Sequence, residues 1–282
     1  MNSFARLRSM EAMDQLSQTA WEPVTPHGVA AFAHASAGRL WLVQFLVALV
    51  VSASVVWFLH DGCFPTIRSA ILQLPAEGEI RSATLNWRGD SPQMLAEGRF
   101  LAFSVDLDHS GALRSPAHVQ VEFGRHGFRV RSLFGYMEGH YPDGWIIAFN
   151  RIELQPRWGA WQPALLAITA AAVVVYLMVS WFVLALLYAG PVWLIAFYAN
   201  RNLNLIASWK LAGAALLPGA LVMATAVLVY DLGALDLVHM TFILAVHLMV
   251  GWIYLGLGPL FLPRHPAAAA PRANPFASPP RE

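Results

Sequence analysis

Asp106-Leu107-Asp108-His109-Ser110-Gly111 is the stretch of this 282-residue chain that comes nearest to a chemical motif. It matches the first half of a calcium loop, with oxygen side chains at alternate positions and glycine at the sixth, and Leu113 suits the eighth position. The twelfth position should supply a bidentate carboxylate, and it is Ala117. Alternation of apolar and polar residues just before Asp106 favours another reading, a strand that ends in a polar turn. Asp and Ser would hold that turn and Gly111 would take positive φ.

Glu138, His140 and Asp143 form a second polar cluster, in a stretch rich in Gly, Tyr and Pro. Zinc needs three or four converging ligands, and a hydrolase needs a nucleophile with its base. Neither set is visible, and a surface loop able to touch a sugar or a partner is the plainer reading. His239 and His247 lie in an uncharged apolar segment, about 80° apart around a helix. Ionisable side chains in such a place are functional candidates by default. No Asp, Glu, Lys or Arg accompanies them at mid-depth, so the expectation is neutral imidazoles bonded to a neighbouring helix, through Ser52, Ser54 or Thr225. No catalytic set, cofactor or metal is expected from these residues. Asp106, Asp108, Glu138, His140, His239 and His247 are the functional candidates.

The elements that position them are set by hydropathy. Apolar residues make up 57% of the chain and charged residues 12%, about half the share usual in soluble domains. A net charge of +1 gives no reason to expect nucleic acid as partner. The single cysteine, Cys63, excludes an intrachain disulfide. Arginine supplies nearly all the positive charge, Lys210 being the only lysine, and Ala, Gly and Pro abound. That composition suits a GC-rich bacterial genome.

No charged residue lies between Arg157 and Arg201, a run longer than the ~20 residues that cross a hydrocarbon core. Leu40–Leu59, Leu211–Tyr230 and Leu237–Leu262 are similar. The fold class expected is therefore a membrane α-helical protein with four transmembrane helices and a small inserted α+β extracytoplasmic domain. Five helices is the alternative count. Gly190-Pro191 is expected to break the second helix from Val192–Ala199, which then lies at the interface or continues past a kink. The first helix reads as an uncleaved anchor, since His60-Asp61-Gly62-Cys63 lacks a small-x-small cleavage site. Ala215-x-x-x-Gly219 and Ala220-x-x-x-Ala224 would let helices approach closely.

The organisation that follows is a cytoplasmic segment 1–38, a first transmembrane helix 39–60, an extracytoplasmic β-rich domain 61–160, helices two to four over 161–262 and a disordered cytoplasmic tail 263–282. Ser3–Gln18 could form an amphipathic helix. Arg6, Arg8, Arg39, Arg201, Lys210 and Arg264 flank the helices on one side, while Asp231–Asp236 carries acids and no base. The positive-inside rule then puts both termini in the cytoplasm of a bacterial inner membrane. In the outer domain a short helix follows Pro65, and strands are expected at Ala83–Trp87, Arg99–Leu107, Val119–Phe123, Phe128–Arg131 and Trp145–Leu154. They would form an antiparallel unit with Phe103 and Val105 on the core face and Ala102 and Ser104 outward. Trp158 and Trp161 should rest at the headgroup level.

The run Phe103–Gly111 and the segment Ala207-Ser208-Trp209-Lys210-Leu211 resemble a bacterial family of uncharacterised multi-pass membrane proteins associated with maltodextrin utilisation. The resemblance implies a role beside transport or envelope polysaccharide handling, with no established active site to carry over. The function expected is a non-enzymatic inner-membrane protein whose outer domain docks a partner or glycan, accessory to a transporter or envelope assembly. The alternative is a subunit of a small homo-oligomeric transporter or channel. Partners expected are the lipid bilayer, a membrane protein or further copies of the chain, and a glycan.

Overall fold

The computed structural model of the chain describes residues 22–264. The expected amphipathic helix Ser3–Gln18 and the tail Pro266–Pro280 lie outside the described residues. Four helical stretches are long and apolar enough to cross a membrane, namely Ala37–Leu72, Arg151–Tyr198, Leu205–Asp231 and Leu237–Phe261. The described residues divide into two compact units.

The first unit is helical and takes in residues 22–51, 173–224 and 241–264. Its short helix α1 (Pro26–Ala31) starts with Pro in its first turn, and the Thr25 hydroxyl accepts from the Gly28 N–H at 3.0 Å. Val29, Ala31 and Phe32 are buried, so the segment ahead of the first long helix packs as part of this unit. Lys210 Nζ reinforces it by donating to the Ala35 carbonyl at 2.6 Å. Helix α2 (Ala37–Phe58) follows.

Helix α4 (Arg151–Tyr198) runs unbroken through Gly190-Pro191, so the expected break there is absent. A backbone group released among apolar side chains finds no water to replace its bond, which makes leaving the helix more costly than losing one bond at Pro191. Burial of Val192 and Ala196 beyond the proline also holds the helix on course. The other proline acts differently. Helices α5 (Leu205–Ala215) and α6 (Leu217–Asp231) are separated at Leu216, where Pro218 has no N–H for the Ala214 carbonyl. The small-residue spacing on α6 does permit close approach. A Cβ added at Gly219 would lie 2.5 Å from the His247 carbonyl oxygen on α7 (Leu237–Leu257).

The second unit comprises residues 52–172 and 225–240. Helix α2 passes through one π-helical turn, Leu59–Cys63, into the amphipathic helix α3 (Phe64–Leu72). A three-stranded antiparallel sheet has the order β2 (Thr84–Asn86), β1 (Glu79–Arg81), β8 (Ile146–Ala148). A five-stranded sheet follows the order β3 (Gln93–Glu97), β4 (Leu101–Val105), β5 (Val119–Phe123), β6 (Gly127–Ser132), β7 (Gly135–His140).

Three expectations need correction here. The large sheet is mixed, because β4 and β5 run parallel. A parallel pair requires a crossover of a dozen or more residues, and the stretch between Val105 and Val119 supplies it. Strand β8 is short, and Arg151–Trp161 is helical rather than strand or linker. Asn150 ends the strand by capping α4, accepting from the Glu153 N–H at 2.9 Å. Finally, Ala102 and Ser104 do not face outward. Both are 0% exposed, while Phe103 and Val105 join the apolar cluster formed with Ala70, Leu74 and Phe149. The strand is covered on both sides.

Candidate functional site

Cross-strand register places Ala102, Ser104, Gln120, Glu122, Arg129, Arg131, Tyr136 and Glu138 on one face of the large sheet. This face is polar, the reverse of the usual arrangement for a covered sheet. Segment 106–118 folds across its β4–β5 half and is tied down by hydrogen bonds. Gln120 Nε2 donates to Ser104 Oγ at 3.0 Å and to the Leu113 carbonyl at 3.3 Å, and Gln120 Oε1 accepts from the Ser115 N–H at 3.2 Å. The buried Ser104 and Gln120 side chains are tolerated because these bonds satisfy them.

Beneath that cover lies Glu122, whose side chain is 0% exposed. Its Oε1 accepts from His109 Nδ1 at 2.6 Å and from Arg131 Nη2 at 3.2 Å. Glu122 Oε2 and Arg131 Nη1 are buried without a partner among the described residues. The His109 ring leaves no room beside it, since a Cβ at Gly124 would meet its Nε2 at 2.1 Å. Gly124 is itself pinned, donating to the Gly127 carbonyl at 2.8 Å and accepting from the Tyr141 hydroxyl at 2.9 Å. Burial pushes that Tyr141 hydroxyl well above the ordinary phenol range, so it stays a donor.

Asp106 is the turn residue the sequence indicated. Its buried Oδ2 accepts from Ser110 Oγ at 2.8 Å and from the Gly111 N–H at 3.0 Å. Burial works to raise its carboxyl, but hydrogen bonds from Ser110, Gly111 and Asp108 outweigh this and hold it below the usual carboxylate range. Gly111 has φ +74° and His109 has φ +52°, so the turn uses left-handed backbone twice.

Asp108, Glu138 and His140, distant in the sequence, line one cleft of about 200 Å³. His109, His126 and Arg129 share its walls. Glu138 accepts from Arg129 Nε at 2.6 Å, and Asp108 lies 3.8 Å from Arg125. Among the described residues no group of three or more His, Cys, Asp or Glu side chains could hold a metal ion. With its acids beside arginines, the cleft is suited to exchanging hydrogen bonds and charge with a polar ligand. Sequence reading missed His109, Glu122, Arg129 and Arg131. Gln120 and Glu122 alternate like solvent-facing residues, and the one available signal was a matching pair of arginines at the same spacing on the next strand.

The domain is seated on the ends of helices from its own unit by an aromatic cluster that sequence reading also missed. Phe100 packs edge-on to Phe58 at 5.0 Å and lies 4.9 Å from the Tyr230 ring. His118 Nδ1 pairs with the Tyr230 hydroxyl. Arg99 Nη2 donates to the Leu235 carbonyl at 2.8 Å in the turn between α6 and α7. Burial, then Arg99, holds His118 below the ordinary histidine value, against a smaller opposite pull from Asp236. Half-buried Trp158 packs edge-on against Phe64 at 5.0 Å, while Trp161 is exposed.

His239 and His247 bond along their own helix instead of to Ser52, which donates to the Ala170 carbonyl. His239 Nδ1 lies 2.8 Å from Asp236 Oδ1, the carboxylate that also caps α7 through the His239 N–H. His247 Nδ1 pairs with the Leu244 carbonyl. Neither histidine joins the cleft.

By its own geometry the chain is a protein of four long apolar helices with a separate small sheet domain, the form of a helical membrane protein carrying an inserted α+β domain. Comparisons with protein-family models, curated proteins and solved structures each returned no match.

Proposed function

We propose that this is a non-enzymatic multi-pass protein of the bacterial inner membrane, with both termini cytoplasmic, whose extracytoplasmic domain docks a partner protein or glycan beside a transporter or envelope assembly. The observation that carries the docking role is the cleft that unites Asp108, Glu138 and His140 with His109, His126 and Arg129. It opens at the Gly127 end of β6. The Ser132 end of that strand shares a cavity with Leu237 and Val238 at the start of α7. The two ends are separated by roughly 17 Å at about 3.4 Å per residue. A polar cleft at that height above a helix entering a bilayer meets the aqueous side, where a soluble or membrane partner can reach it.

Membrane insertion is supported by the exposed apolar surface of the long helices, including Tyr176, Val183 and Leu187 on α4. That surface also suits further copies of the chain, so a homo-oligomeric transporter subunit is the second reading. The likeness of Phe103–Gly111 to the maltodextrin-associated family adds polysaccharide handling as the setting.

Cysteine labelling in intact cells tests the arrangement. Probes at Gly89 and Gly139 should react from outside, and a probe at Asn202 only after permeabilisation. Photo-crosslinkers at His140 and at Asp90 in native membranes test the docking role. A discrete adduct of constant mass is expected from the cleft position and none from Asp90. Adducts that arise only between copies of this chain would favour the oligomer, and no adduct at His140 would remove the docking reading.

A further inference from the structure

The β6–β7 hairpin turns at Leu133 and Phe134, which are 62% and 73% exposed, and Tyr136 just beyond is 71% exposed. Bulky apolar side chains grouped on a hairpin tip forgo the stabilisation that burial would bring, and grouped exposure of this kind marks a contact surface. The tip is continuous with a helix that the chain would use to cross a membrane. Leu133 lines a cavity of about 460 Å³ together with Leu237 and Val238 of α7, and Arg114 and Arg131 form its other side. A second cavity of about 410 Å³ shares Arg114, Arg131 and Ser132 with the first and adds Arg129 and Tyr136. Arg114 is exposed and has no ion pair among the described residues. Arg131 gives one nitrogen to Glu122 and keeps its buried Nη1 unpaired.

Apolar and aromatic side chains at the tip, arginines one step behind them and the first turn of an apolar helix alongside are the ingredients of a membrane-interface contact. We infer that the Leu133–Phe134 tip enters the outer leaflet beside α7, and that Arg114 and Arg131 hold the phosphate of a phospholipid headgroup in the cavity behind it. Arg131 lines both cavities and adds its guanidinium charge beside that phosphate. The acid that lines this cavity, Asp236, is paired with His239, and Arg114 has no carboxylate within ion-pair distance among the described residues, so an anionic phospholipid is preferred to a zwitterionic one. The contact gives the sheet domain an attachment to the bilayer of its own, beyond the two helices that enter and leave it. This inference rests on the reading of α7 as a membrane-crossing helix.

The test uses the full chain in nanodiscs of phosphatidylglycerol and phosphatidylcholine, in a Cys63→Ser background. Nitroxides are attached after Phe134→Cys, Asp143→Cys or Leu186→Cys. Labels at positions 134 and 186 should be more accessible to oxygen than to a water-soluble nickel complex, and the label at 143 should show the opposite order. If 134 matches 143 while 186 is immersed, the hairpin does not enter the leaflet and the inference falls while membrane insertion stands. If 186 is also in water, both fall. Strong spin–spin coupling between labels at 134 would mean that a second copy covers the tip, which also overturns it. Native mass spectrometry reads the headgroup. Arg114→Gln should lower retained phosphatidylglycerol several-fold with phosphatidylcholine unchanged, and equal retention of phosphatidylglycerol would remove the arginine site.

Discussion

Glu122 Oε1 lies 2.6 Å from His109 Nδ1, and the carboxyl that accepts this bond has no exposure to water. A buried acid is stable only while its partners remain, and here they come from a turn and from the next strand. Replacing Glu122 with Ala strands Arg131 and should cost about 3 kcal/mol, the usual result of breaking one side of a buried pair. Replacing Glu122 and Arg131 together with Leu should cost less than either single change. Thermal melts of the three variants in nanodiscs decide the matter, and a double variant less stable than both singles would contradict it.

The two aspartates of the Asp106–Gly111 turn should behave differently, although the sequence alone treats them as equivalent. Asp106 is buried and holds the turn through two hydrogen bonds, whereas the Asp108 side chain is mostly exposed. Asp106→Ala leaves the Ser110 hydroxyl and the Gly111 N–H without their acceptor and should cost about 1–3 kcal/mol. Asp108→Ala should change stability by less than about 0.5 kcal/mol. Protease resistance of the sheet domain in membranes measures both, and equal effects would mean the turn is not held by Asp106.

Gly219 should tolerate no side chain. With 2.5 Å between an added Cβ and the His247 carbonyl, Gly219→Val must push α6 and α7 apart, at about 1–3 kcal/mol for overpacking. Gly256, where an added Cβ meets nothing within 4 Å, is the control. Gly256→Ala should leave the melting temperature of the protein unchanged, and a Gly219→Val protein equally stable would place the two helices further apart.

The contact between His118 and Tyr230 should respond to pH. The native pKa of His118 lies below its ordinary value through burial and Arg99, so the unfolded or detached state binds the proton more readily. Its stabilising contribution is complete above about pH 6.5, the ordinary histidine value. It declines as the pH falls through that value towards the lowered native one. Hydrogen exchange around Arg99–Leu101 and Leu235, corrected for intrinsic rates, should therefore quicken at pH 5.5 relative to 7.5. His118→Phe should abolish the difference, and an unchanged pH response in that variant would assign it to another group.

Hydropathy alone determined the four long helices, because an uncharged run such as Leu165–Tyr198 admits no soluble surface and few other structures. Local chemistry was legible wherever partners lie within a few residues. The polar turn at Asp106, the left-handed Gly111 and the hairpin at Gly124–Gly127 are all of this kind. Gly190-Pro191 misled because proline's local effect competes with an environment that offers a released carbonyl nothing else to bond, and composition cannot weigh the two. The polar sheet face was also hidden. In sequence Ser104, Gln120 and Glu122 alternate as solvent-facing residues do, and only the crossover of segment 106–118 turns that face inward. The cleft joins Asp108 to Glu138 and His140 through the pairing of β6 with β7 and the turn beside them. That proximity depends on long-range register, which is fixed when the strands pack and not by the residues at either end.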